Sequence, residues 1–129
     1  MNINKDYEVF LDINHAEVTI PRAIVFKDKD KRTSNIYAHI QPEFVGNGYQ
    51  LRFAVERPDG VILTIIKDID SNNINNIIEF DLPAEFTAVK GKCIAEFHII
   101  KVIDGLEHVK GLDPFTYKVT QSLVNKYKS

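Results

Sequence analysis

Histidine is the side chain best suited to proton transfer or metal ligation near neutral pH, and the chain carries four: His15, His39, His98 and His108. No two of them have the one-helix-turn spacing by which zinc hydrolases place two imidazoles on one metal. His39 and His98 sit in alternating segments, on the side away from their apolar neighbours, which predicts surface or sheet-edge histidines. Asp28 with Asp30, and Asp68 with Asp70, are carboxylates spaced by two that can face one cation. Both pairs lack the central glycine and terminal glutamate of a calcium loop, so they read as solvated loops. The single cysteine, Cys93, excludes an internal disulfide and a cysteine-based zinc site. It lies in an alternating apolar segment and is expected to be inert packing.

Other chemistry leaves no trace in the spacing. There is no glycine-rich phosphate loop and no Gly-x-Ser-x-Gly elbow. The carboxylate pairs of glycoside cleavage are assembled by a fold and not by sequence spacing, and nothing marks out two of the 18 acidic residues. The expectation is a protein with no catalytic, cofactor-binding or metal residues, and not an enzyme.

The elements that would have to position any site are read from hydrophobic period. Apolar residues recur every second position along most of the chain, the spacing that turns one side of a strand toward a core. Tyr7, Val9, Leu11 and Ile13 alternate with polar residues, Phe10 alone interrupting the wet face. Ile20 to Phe26 predicts a strand with Pro21 near its start, where a missing N–H does least harm. Lys27 to Arg32 mixes signs at every step and predicts a solvated turn.

Ser34 to Ile40 is a strand, and Gly46-Asn47-Gly48 a turn tolerant of positive φ. The next strand begins near Tyr49. Arg57-Pro58-Asp59-Gly60 lies between two apolar runs and predicts a hairpin, since proline presets φ and glycine takes the left-handed position. Asp68 to Asn76 reads as a loop, Ile78 to Leu82 as a strand and Ala84 to Val89 as a short helical turn. Lys92 to Val102 is a long strand, Asp104-Gly105 a second hairpin, and Phe115 to Val119 a closing strand.

About eight strands at this spacing predict an all-β fold, a two-sheet antiparallel β-sandwich of Ig-like or Greek-key type. The sandwich domain is expected over residues 1–120. In 121–129, Leu123 and Tyr127 fall one helical turn apart, which predicts a tail or the start of a short linking helix.

Bulk properties agree with one domain. A chain of 129 residues normally hides roughly two-thirds of its unfolded surface in one core. Apolar residues make 44% and charged residues 26% of the chain, ordinary globular values. A net charge of -2 supplies no field to hold a phosphate backbone, so nucleic acid is not an expected partner. The longest apolar runs fall far short of the roughly 20 residues a membrane helix needs, so no membrane insertion is expected. The polar N-terminus has no signal-peptide core.

A β-sandwich without catalytic motifs also suits a carbohydrate-binding or host-surface recognition module, which stacks sugars on exposed rings. There is no tryptophan, and Tyr37 and Tyr49 are the candidates to replace it.

The order of several blocks resembles the N-terminal domain of the phage baseplate upper protein family of siphophages of Gram-positive bacteria. The first block is Ile24-Val25-Phe26-Lys27, the charged turn, and Thr33-Ser34-Asn35-Ile36-Tyr37; the second is the Arg57-Pro58-Asp59-Gly60 hairpin. The third runs Ile78-Glu79-Phe80-Asp81-Leu82-Pro83, then Gly91-Lys92 and Ala95-Glu96-Phe97-His98-Ile99. The fourth is Pro114-Phe115-Thr116-Tyr117-Lys118-Val119, with Ser122-Leu123 behind it. Each block alone is a common strand or turn signal, and their order from Tyr7 to Leu123 carries the likeness.

The resemblance implies a viral structural protein that docks onto the tail core, with the distal tail protein and a receptor-binding protein as partners in host attachment. It implies a place in the virion tail after synthesis in the host bacterial cytoplasm, and it is compatible with a homotrimer in the full assembly. Members of that family usually continue well past this domain, whereas this sequence stops at Ser129. The family supplies no binding motif that transfers to individual residues, so the binding residues are unknown at this level.

Overall fold

The computed structural model describes residues 5–27, 34–70 and 74–121. Within them the chain forms ten strands: β1 (Lys5–Asp12), β2 (Glu17–Thr19), β3 (Val25–Lys27), β4 (Ser34–His39), β5 (Tyr49–Glu56), β6 (Ile62–Ile69), β7 (Ile77–Leu82), β8 (Gly91–Ile103), β9 (Leu106–Gly111) and β10 (Phe115–Thr120). They make two sheets, one of four strands in the order β2-β1-β4-β7 and one of six in the order β3-β10-β8-β5-β6, with β9 also paired to β8. The two-sheet sandwich expected from the alternation is the fold observed. Its pairs are antiparallel except β1 with β4 and β3 with β10, which are parallel.

Alternation places the core directly. From the four-stranded sheet Tyr7, Val9, Leu11, Ile36, Ala38, Ile78 and Phe80 are buried, and from the other Leu51, Phe53, Val55, Cys93, Ala95, Phe97, Phe115, Tyr117 and Val119. Phe53 occupies the middle of a ring cluster, with centroids 5.0 Å from Phe97, 5.8 Å from Phe80, 6.1 Å from Phe86 and 6.2 Å from Phe115. Such ring pairs add about 0.5–1.5 kcal/mol beyond the area they bury. Tyr7 and Tyr117 both meet Phe26 edge-on and extend the cluster toward β3.

Several sequence expectations are corrected by the structure. Ile20 to Phe26 is not one strand: Glu17–Thr19 pairs with β1 in one sheet, and only Val25–Lys27 pairs with β10 in the other. Residues 20–24 carry the chain across between sheets, bending at Pro21 and Arg22, where proline cannot donate to a ladder. Asp68 and Ile69 belong to β6 and not to a loop; Ile69 is buried, and Gln50 Nε2 donates to Asp68 Oδ1 at 2.8 Å. The strand count exceeds the expected eight by β2, three residues long and too short for a period to register, and by β9, the second strand of the Asp104-Gly105 hairpin. The expected helix in 121–129, apart from Gln121, and the charged turn Lys27 to Arg32, apart from Lys27, lie outside the described residues.

Turn chemistry follows the sequence closely. Gly46, Gly48, Gly60 and Gly105 have positive φ, as does Asp104, giving the Asp104-Gly105 hairpin the two left-handed residues its twist requires. The Arg57 to Gly60 turn is closed by Gly60 N donating to Arg57 O at 2.9 Å. It is tied further by Arg57 Nε donating to Asp59 Oδ1 at 3.0 Å. That charge-assisted bond draws the Asp59 carboxyl below its usual range.

Gly91 supports the same turn from beneath. Its φ is +127°, and a Cβ there would stand 2.9 Å from Pro58 Cγ. Gly91→Ala therefore meets both a disfavoured backbone region and a clash, and is expected to cost about 1–3 kcal/mol. Urea unfolding would measure this, with Gly48→Ala as the comparison, since Gly48 also has positive φ but open space around it.

Candidate interaction surfaces

Among the described residues no group of three or more His, Cys, Asp or Glu side chains is placed to hold a metal ion. No helix among them is long and apolar enough to cross a membrane. The four histidines are dispersed. His15 Nδ1 lies 2.9 Å from Asp12 Oδ2 in the β1–β2 turn, and His108 is exposed on β9.

His39 stacks on Phe10 with centroids 4.2 Å apart, and its Nε2 lies 2.9 Å from Glu8 Oε1. This explains Phe10, whose ring interrupts the wet face of β1: it covers an imidazole on β4. At His98, Arg52 Nε donates to Nδ1 at 2.9 Å, so that nitrogen carries no proton. Burial, followed by the Arg52 cation, holds the imidazole below its ordinary pKa, with Glu96 opposing.

Cys93 is buried, and burial pushes its thiol above the ordinary value. That is the environment of a packing residue and not of a nucleophile. Tyr37 and Tyr49 do not form a shared platform. Tyr37 lies on the outer face of the four-stranded sheet, opposite Glu8 and Glu79 in the ladder. Tyr49 belongs to the other sheet, where Phe44 meets its ring edge-on at 5.0 Å and Lys101 Nζ lies 4.6 Å from its centroid.

The outer faces differ in character. Cross-strand register puts Asp6, Glu8 and Asp12 of β1, Glu17 of β2, and Glu79 and Asp81 of β7 on the outer face of the four-stranded sheet. A hydrogen bond to Asp81, with burial behind it, raises the Glu79 carboxyl above its usual range. Asn35 is buried on this face; its Nδ2 donates to Asp6 Oδ1 at 2.8 Å, while its Oδ1 has no partner among the described residues.

The other sheet shows apolar side chains to solvent instead. Ile62, Ile66 and Ile94 are exposed on its outer face; β9 is an edge strand of this sheet with all six residues exposed, and from Val102 onward the β8–β9 hairpin runs past the end of β5 as a short arm. At its end Val102 is 58% and Leu106 67% accessible, with Ile103 and Val109 also exposed. The arm is fixed at its base by Leu112 N donating to Phe97 O at 2.9 Å and by Lys110 Nζ donating to Asn14 O at 3.2 Å.

Scattered single apolar residues on a surface are ordinary; here the register puts Ile103 and Leu106 on one face of the hairpin tip and Val102 and Val109 on the other, so apolar side chains flank the tip on both sides, a feature that can mark a contact surface. Sequence reading did not find it. Val102 falls out of phase with Cys93, Ala95, Phe97 and Ile99 in β8, and Leu106 and Val109 are three apart in β9, so the two-residue period assigns these side chains to no single face. The missing information is that among the described residues no second layer covers β9.

No protein-family model matches the sequence, and no curated protein matches it. Among solved structures the chain is similar to the N-terminal domain of phage TP901-1 ORF48, at 15% sequence identity and a TM-score of 0.62, over 91% of this chain and 99% of that one. The shared feature is the fold, a two-sheet β-sandwich covering nearly the whole of both chains.

Proposed function

We propose that this chain is a structural adaptor domain of a phage tail baseplate, docking on the tail core and linking it to receptor-binding proteins for host attachment. The observation that carries this reading is the agreement of two independent likenesses. The ordered sequence blocks resemble the baseplate upper protein family, and the fold matches the N-terminal domain of a phage protein along nearly its entire length. In this reading residues 1–120 are the docking sandwich, 121–129 lead toward the next part of the assembly, and the protein resides in the virion.

The β8–β9 arm is the docking element. Its rigid base and apolar end reduce the ordering cost that a partner would otherwise meet, and burying Val102 and Leu106 contributes roughly 1.5–3 kcal/mol each. The test is binding of the purified chain to the distal tail protein of the same phage, by calorimetry. Complex formation is expected, and the Val102→Asp/Leu106→Asp pair should weaken it at least about a hundredfold while leaving the circular dichroism unchanged, because both side chains face solvent. Failure of the unmodified chain to bind would remove the adaptor reading; equal binding by the variant would remove the arm from it.

A further inference from the structure

A second surface differs from the arm in chemistry. Where residues 20–24 cross between the sheets they diverge from β10, leaving an open groove of about 530 Å³. It is lined by Arg22, Lys92 and Lys118 and by the apolar Ile20, Ala23 and Val25, and among the described residues no carboxylate lines it. β10 joins β3 only from Lys118 onward, so Phe115 to Tyr117 has no strand on that side among the described residues.

The two lysines are direct cross-strand partners, Lys118 opposite Lys92 on the outer face. Like charges in that position destabilise a sheet, and neither lysine has an ion-pair partner among the described residues. Arg22 is held from below: its Nη2 donates to Asp6 O at 2.9 Å and its guanidinium lies 4.5 Å from the Tyr7 ring centroid. Three cations therefore converge on one groove of a chain whose net charge is -2. The arrangement is unfavourable for the isolated chain and is relieved by an anion.

We infer that this groove is a docking site for an extended acidic segment of a partner protein, its carboxylates meeting Arg22, Lys92 and Lys118. Lys118 N donates to Ile24 O, so Thr116, two residues earlier on the same edge, turns its backbone groups to the groove and suits one rung of an added strand. The apolar lining takes the alternate side chains of that strand and has no use for a phosphate polymer. The site is separate from the β8–β9 arm and stands whether or not the chain belongs to a baseplate.

The experiment is fluorescence anisotropy of a labelled peptide of alternating glutamate and valine, against the full chain and Lys118→Glu. The unmodified chain should bind it, and added salt should weaken binding. Lys118→Glu should lose at least about tenfold in affinity while its melting temperature holds or rises, because the substitution converts a like-charge pair into an opposite one. Loss of binding and rise in stability together separate a ligand site from a merely structural lysine.

No binding up to about 1 mM peptide, or equal binding by Lys118→Glu, overturns the proposal. Equal or tighter binding of inorganic polyphosphate or single-stranded DNA overturns the peptide assignment. Self-association in light scattering that Lys118→Glu abolishes makes a second copy the occupant and overturns it likewise.

Discussion

Phe53→Ala is expected to lower the unfolding free energy by about 3–5 kcal/mol, a large part of the roughly 5–15 kcal/mol that holds a domain together. Phe53 is fully buried at the centre of β5 and is the ring shared by Phe80, Phe86, Phe97 and Phe115. Those four come from three strands and from the 3-10 turn Ala84–Thr87, so truncation opens a cavity walled by both sheets that no single side chain can refill. Urea unfolding followed by circular dichroism measures the loss as a lower midpoint at unchanged slope. A loss below about 1.5 kcal/mol would mean that the core reshapes around the gap. Phe10→Ala is the contrast: the residue is 42% accessible and among the described rings stacks on His39 alone, and its cost should stay within about 1 kcal/mol.

Tyr117→Phe tests a single buried bond and predicts a pH signature. The phenol donates to Phe86 O at 2.5 Å, tying β10 to the 3-10 turn beside the ring cluster. Removing it strands a buried carbonyl and should cost about 1–3 kcal/mol at neutral pH. Burial, followed by the nearby Cys93, raises the Tyr117 phenol far above its ordinary value. A raised acid contributes stability that is intact below its unfolded pKa, about 10 for tyrosine. Above that the unfolded chain releases a proton that the folded chain keeps, so stability falls as pH rises.

Cys93, also raised by burial, begins the same decline from its lower unfolded pKa of about 8.5. The unmodified chain should therefore lose stability from about pH 9 upward. Tyr117→Phe should decline less steeply beyond about pH 10, so that the two stability curves approach one another. Parallel curves would show that the phenol is not the titrating group.

Much of the fold was legible because a strand's period is local. Tyr7, Val9, Leu11 and Ile13 alternate in the sequence and are buried together in the structure. Arg57-Pro58-Asp59-Gly60 and Asp104-Gly105 close hairpins because their backbone preferences act within four residues. Pro21 shows the limit of such reading. It was compatible with the first position of a strand, yet the chain bends there to change sheets, a choice that depends on where β10 lies. Phe10, Tyr37 and Tyr49 show the same limit for the surface, since each meets a neighbour from a strand distant in sequence.

By itself the sequence determined the β class, most strand positions, the two hairpin turns and the inward set of side chains, since these follow from the two-residue period and from φ preferences of glycine, proline and aspartate. Only the tertiary structure decided which strands are neighbours, that β9 has no covering layer among the described residues, and that Lys92 and Lys118 stand opposite each other in a groove that Arg22 also lines. Those facts set the apolar arm and the basic groove. They are properties of pairing between segments far apart in the chain, and alternation within one strand carries no information about which strand lies beside it.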